Sequence, residues 1–253
     1  MLYRYFIHLG YKGTYYHGWQ IQPGVITVQE VLNQHLSLLL KETIQTVGAG
    51  RTDAGVHASS FYAHFDCTLN LLEQNPKFIY QLNSILPNDV AVYKILAVRA
   101  DAHARFDAIS RTYLYRICQV KDPFNLEFAM SFKHSLNIGA MNRASEILKE
   151  YTDYSSFSKL HTDVKTNNCK ILDAKWELSG NELHFTIKAD RFLRNMVRAI
   201  VGTLIEVGMN KILPEDIRFI IENKSRSLAG SSVKAHGLHL IQIQYPDEIF
   251  MHI

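Results

Sequence analysis

The sequence predicts an α+β protein made of two halves, and three observations carry that prediction. Predicted strands and helices alternate, yet Ile171 to Leu178 and Glu182 to Ala189 read as a hairpin around Ser179-Gly180-Asn181, so the sheets are mixed or antiparallel. The order of elements restarts once, after the stretch Asp101 to Ser110. No low-complexity tract or composition break marks a flexible linker there. The expected halves are 1–105 and 106–253, sharing a rigid cleft.

Each element has a local reason. Leu2 to Leu9 is aromatic and apolar with period-2 character, hence a strand. Gly10 to Gly24 carries four glycines and reads as a loop containing Trp19-Gln20. Thr27-Val28-Gln29-Glu30 fits a capping box. The helix it opens puts Val28, Val31, Leu32, Leu36 and Leu39 on one stripe. A strand from about Gln45 runs into Gly48-Ala49-Gly50, and Ser59 to Phe65 is the next. Pro76 to Ile85 reads as a helix and Val90 to Val98 as a strand. In the second half, Thr112 to Val120 is a strand and Gly139 to Glu150 a helix. The hairpin follows, then a long helix from Arg191 to Val207 ending at Gly208. Pro214 to Glu222, with Pro at its start, is a further helix. Leu238 to Gln244 is the closing strand.

Composition narrows the function classes. The chain has 253 residues, 47% hydrophobic and 20% charged, which excludes disorder and allows a sizeable core. No apolar run reaches the roughly 18 residues of a membrane span. Met1-Leu2-Tyr3-Arg4-Tyr5-Phe6 has no apolar signal region or cleavage site, so no secretory signal is expected. Cys67, Cys118 and Cys169 are odd in number and widely spaced, as buried thiols of a reducing compartment would be. Twelve histidines form no metal-binding spacing. Net charge is only +3, so a nucleic-acid surface must come from local clustering.

Three segments hold the residue types of chemistry. Gly48-Ala49-Gly50-Arg51-Thr52-Asp53-Ala54-Gly55-Val56-His57 places a carboxylate on a glycine-flanked loop, either a ligand-facing tip or a turn closed by an Asx-type bond. It is no phosphate loop, because no Gly-Lys-Ser/Thr follows, and Asp53 stands where a dinucleotide fingerprint needs its third glycine. Arg191, Arg194 and Arg198 fall at i, i+3 and i+7. On a helix they share a face, suited to phosphates or a buried carboxylate, or else simply solvated. Arg105-Phe106-Asp107 precedes a strand on which Arg111, Tyr113 and Tyr115 share one face. Those residues make either a stacking platform for a splayed-out base or ordinary cross-strand packing.

The Gly50-to-His57 segment resembles the signature of the tRNA pseudouridine synthase A family. Gly18-Trp19-Gln20, Leu82-Asn83 with Leu86-Pro87, His103-Ala104-Arg105-Phe106, Arg111-Thr112-Tyr113, Met196-Val197-Arg198 with Gly202, and Gly237-Leu238-His239-Leu240 resemble further blocks of that family, in order and across nearly the whole chain. The sequence departs from the family pattern at Ile21, Ser60-Phe61, Ala102, Asp107, Arg191 and Arg194, and keeps Asp53, Tyr113 and Arg198.

The resemblance implies two ferredoxin-like α/β-sandwich halves around one extended mixed or antiparallel sheet, with a catalytic cleft at the centre. It implies a cytoplasmic homodimer that acts on the anticodon arm of tRNA, converting uridines 38, 39 and 40 to pseudouridine with no cofactor and no metal. By motif position Asp53 is the nucleophile, Arg198 pairs with it, and Tyr113 contacts the target base. Arg51 joins the catalytic set. Independently of the resemblance, a tRNA must be gripped by its phosphates, and Arg105, Arg111, Arg191 and Arg194 are the basic candidates for that grip; Leu238 completes the substrate-binding set. A non-catalytic RNA-binding module and a hydrolase are the rival classes. The hydrolase needs a second acid or a metal beside Asp53, and no sequence cluster supplies one.

Overall fold

This structure, a computed structural model, describes residues 1–159 and 166–251. The chain packs into two compact units, Met1–Ile109 with Leu240–Ile253, and Ser110–His239. The sequence predicts one boundary, at 105/106; the packing divides the chain at 109/110 and again at 239/240. The return of the last strand to the first unit is a non-local pairing that no linker signal announces.

In the first unit, β1 (Tyr3–Tyr11), α1 (Val28–Leu40), β2 (Val47–Gly48), β3 (His57–Cys67), α2 (Pro76–Ile85) and β4 (Val90–Ala97) follow in order. β1 lies between β4 and β3, antiparallel to both, and the short β2 pairs with β3. Tyr5, Ile7, Leu9, Phe61, Ala63 and Phe65 alternate along β1 and β3 and are buried. Thr27 caps α1 by accepting from the Glu30 backbone N–H at 3.4 Å, and Val28, Leu32 and Leu36 of the expected stripe are buried. Asn75 caps α2, with Pro76 at its first turn, so the expected bounds hold to the residue.

In the second unit, β5 (Ser110–Cys118), β6 (Met130–Ser131), α3 (Ile138–Leu148), β7 (Ile171–Ser179), β8 (Glu182–Ala189), α4 (Met196–Gly208) and α5 (Asp216–Glu222) lead to β9 (Leu238–Gln244), which ends in the first unit beside β3. β8 lies between β5 and β7, antiparallel to both, and β6 runs parallel to β5. The α+β class and the mixed strand pairing are therefore as expected. Each unit fastens a strand with a helix asparagine. Asn83 of α2 gives and takes a hydrogen bond with the backbone of Val92, both 2.8 Å. Asn142 of α3 does the same with Trp176, at 3.1 and 2.8 Å. The amide of Asn presents one donor and one acceptor side by side, which matches the backbone of a single strand residue.

Two expectations need correction. The helix expected from Arg191 begins only at Met196. Asn195 adopts the left-handed conformation with φ 65°, which an α-helix cannot contain. Upstream, the Asp190 carboxylate accepts from the backbone N–H groups of Lys170 and Arg191, holding 190–191 in a turn. Arg191 and Arg194 therefore do not share a helical face with Arg198. Pro214 likewise stands two residues before α5, which starts at Asp216.

All three cysteines are buried thiols. Burial pushes the Cys67 thiol up to about 11 and the Cys169 thiol up to about 12, so both stay protonated and unreactive at neutral pH.

Candidate active site

The Asp53 segment is a loop built from both sides. Asp53 to Val56 is a reverse turn closed by the Val56 N–H donating to the Asp53 carbonyl at 3.1 Å, with Gly55 at φ 78° in the position that demands glycine. The backbone carbonyl closes this turn, so its closure does not require the carboxylate. Asp53 itself is half-buried. Its neighbour Thr52 is buried, with its hydroxyl 2.9 Å from the Tyr11 hydroxyl.

The Gly18-Trp19 segment clamps that loop. Trp19 N–H donates to the Thr52 carbonyl at 3.3 Å, and Gly55 N–H donates to the Tyr16 carbonyl at 3.3 Å. On the other side, the carbonyls of Gly18 and Trp19 accept the Val28 and Gln29 N–H groups, which open α1. Trp19 is buried, its ring 4.2 Å from that of Phe61. Gly18 sits at φ 86°, and a Cβ there would overlap the Thr52 carbonyl oxygen. The Gly-Trp-Gln block and the Asp53 block are thus one construction. We expect Gly18→Ala to displace the Asp53 loop and lower stability by about 1–3 kcal/mol, through strain at a left-handed position. Urea unfolding beside a turnover assay checks this; unchanged values in both would mean that the clamp is dispensable.

Arg51 is exposed and makes no ion pair among the described residues. Arg105, also exposed, rides on the loop 101–107, which histidines organise. His103 Nδ1 accepts from the Arg105 and Phe106 N–H groups, and His64 Nδ1 accepts from the Ala104 N–H at 3.1 Å. Burial lowers the pKa of both imidazoles, His64 to about 4, keeping them neutral acceptors at pH 7. Asp107, a departure from the family pattern, accepts from the His103 N–H at 2.7 Å and so closes the loop. The Arg105 guanidinium stands 5.7 Å from the Phe106 ring centroid.

In the second unit β5 brings Arg111 and Tyr113 to one face. Arg111 donates to the Asp190 carbonyl at 2.8 Å, beside Arg191. Tyr113 is half-buried and meets Phe192 edge-on, ring centroids 5.2 Å apart. Phe192 is a neighbour that the sequence pattern does not announce, because the helix expected from Arg191 would contain it. Tyr115 is no part of a platform. It is fully buried, donates to the Lys234 carbonyl at 2.8 Å, and burial raises its phenol pKa. Period-2 alternation gives a side chain's face but not its depth, so Tyr113 and Tyr115 looked equivalent.

Arg198 is half-buried on the first turn of α4, where Nε donates to the Val233 carbonyl at 2.8 Å and its own carbonyl accepts the Val233 N–H. The segment holding it crosses α4 closely, since a Cβ on Gly202 would overlap the Ser231 carbonyl. Arg194 is exposed, Arg191 half-buried and Leu238 buried. Among the described residues no helix is long and apolar enough to cross a membrane.

A family model described as tRNA pseudouridine synthase matches residues 151–246. The protein called tRNA pseudouridine synthase A from Bacteroides fragilis is 52% identical over 248 residues, covering 98% of each chain. The one from Parabacteroides distasonis is 52% identical with the same coverage. The one from Bacillus subtilis is 36% identical over 94% of this chain and 97% of its own. Similarity of that depth, over nearly the whole of each chain, means that the chain belongs to the tRNA pseudouridine synthase A family.

Proposed function

We propose that this isomerase of tRNA uridine acts at positions 38, 39 and 40 of the anticodon arm, with Asp53 as nucleophile and without cofactor or metal. The observation that carries the reading is the Asp53 turn, clamped by Gly18 and Trp19, within a chain of this family. The chemistry needs a group of this kind. The C1′–N1 bond breaks, the base turns while held, and a C1′–C5 bond forms as C5 loses its proton and N1 gains one. A single carboxylate can attack C1′ and be displaced when C5 bonds there, or take the C2′ proton as the base is expelled and return it to C2′ when C5 adds to the glycal. One is enough because the base is reattached rather than replaced by water. The target base must leave its stack, and Tyr113 is the residue we assign to hold it. Homodimer formation and a cytoplasmic location belong to the same reading; sedimentation of the purified protein tests the first.

The deciding experiment is mass spectrometry of tRNA from cells lacking and regaining the protein, with reaction of purified protein on stem-loops carrying uridine at one of the three positions. Pseudouridine at those positions, absent on deletion and restored on return, is the expected result. Tight binding with no conversion would make the chain a non-catalytic RNA-binding module.

The binding residues separate by what they touch. Loss of a phosphate contact at Arg105, Arg111, Arg191 or Arg194 should lower the salt slope of log K by about 0.7–0.9, equally for all tRNAs. Tyr113→Ala should instead lose stacking worth about 1–3 kcal/mol, mainly in turnover, with the slope unchanged. Binding titrations of each variant across a salt series check both halves. A flattened slope for Tyr113→Ala, with normal slopes for Arg191→Ala and Arg194→Ala, would reverse the assignment.

A further inference from the structure

The turn that follows β1 holds a feature outside every motif described above. Tyr15 is 70% exposed, and the Lys12 ammonium stands 5.8 Å from the centre of its ring. Single exposed side chains are common, but this one is carried on fixed backbone. Lys12 N–H donates to the Asp89 carbonyl at 2.8 Å, and Gly13 N–H donates to the buried His57 Nδ1 at 3.1 Å. A Cβ on Gly13 would overlap the Val56 carbonyl, so the turn lies directly on the Asp53 loop. The next residue, Tyr16, donates its hydroxyl to Asp89 at 2.6 Å and accepts the Gly55 N–H on its carbonyl. The residues on either side of Tyr15 are thus bonded to Asp89, to His57 and, through the Gly55 N–H, to the Asp53 turn.

We propose that Tyr15 and Lys12 form an RNA contact beside Asp53: the Tyr15 ring stacks on an unpaired base flanking the target uridine, and the Lys12 ammonium meets a phosphate of the same stretch. The inference rests on the proposed function and adds to it a substrate contact that no matched motif contains. Three arguments support it. A tyrosine on fixed backbone has only two side-chain torsions to order on stacking, and stacking tolerates any base. A uridine extruded for reaction leaves its neighbours unstacked and in need of a platform. The Lys12 ammonium at the ring complements a polyanion, while the neighbouring Asp89 carboxylate is engaged by the Tyr16 hydroxyl.

The test measures tRNA dissociation constants across a salt series, together with KM and kcat, for Tyr15→Ala, Tyr15→Phe and Lys12→Ala. Tyr15→Ala should raise Kd and KM about five- to tenfold, more than it changes kcat, with the salt slope unchanged. Tyr15→Phe should restore wild-type values, because stacking uses the ring and not the hydroxyl. Lys12→Ala should lower the slope by about 0.7–0.9. Thermal unfolding guards against a packing role: a Tyr15→Ala variant with lowered Tm but tRNA affinity within twofold of wild type overturns the proposal, as does failure of Tyr15→Phe to rescue. Failure of the catalytic reading looks different, since it would appear as absent conversion while Tyr15→Ala still weakens tRNA binding.

Discussion

Asp53→Ala is expected to abolish detectable pseudouridine formation while leaving the fold and tRNA affinity close to wild type. The turn that carries Asp53 is closed through its backbone carbonyl and clamped by Trp19, Tyr16 and Gly18, none of which requires the Asp53 carboxylate. If Asp53 is the nucleophile, as proposed, removing that group takes away the reacting atom and leaves its frame. A carboxylate held in a half-buried position is costly to keep, so its loss can even raise the stability of the free protein. Conversion would be followed by mass spectrometry, tRNA affinity by titration and stability by urea unfolding, all on the same preparation. Turnover within tenfold of wild type would reject Asp53 as the reacting group. Lost turnover accompanied by lost folding would show that the clamp depends on the carboxylate after all.

Elements with local causes were legible. Thr27, Asn75 with Pro76, and the Ser179-Gly180-Asn181 turn each act within three or four residues, and the corresponding helix starts and hairpin stand where expected. The start of α4 was not legible, because its cause is distant. Asp190 holds the backbone of Lys170, twenty residues earlier, and Asn195 turns left-handed just before the first helical residue. The i, i+3, i+7 spacing of Arg191, Arg194 and Arg198 therefore joins side chains that do not share a helix. The return of β9 to the first unit is equally non-local.

The site divides in the same way. The glycines around Asp53 announced a loop that approaches something closely, and Gly55 at positive φ shows one reason for them. The identity of the neighbours, Gly18 and Trp19, Thr52 with Tyr11, and His57 with Gly13, needed the fold. Composition could not reveal that His64 and His103 serve as neutral acceptors beneath Arg105, because twelve histidines without spacing carry no such signal.

Arg198→Gln is the second large expected effect, and it must be separated from a purely local one. Arg198 already holds Val233 through its side chain and its backbone, so any truncation loosens the segment that crosses α4 at Gly202. The local loss is that of one charge-assisted hydrogen bond, about 1.5–3 kcal/mol. If Arg198 also pairs with Asp53, as motif position implies, breaking a buried pair from one side costs about 3–5 kcal/mol, less where water enters. The two contributions differ in what a second substitution does. In a double-mutant cycle with Asp53→Asn, a paired Arg198 gives a coupling energy of about 0.5–3 kcal/mol in urea unfolding, because the second change removes the charge that the first left stranded. An Arg198 that only anchors Val233 gives additive losses. Activity should fall strongly in Arg198→Gln under the pairing, since the reacting carboxylate loses the group that fixes its position. Additive stabilities together with near-normal turnover would remove Arg198 from the site and leave it as the clasp of the Val233 segment.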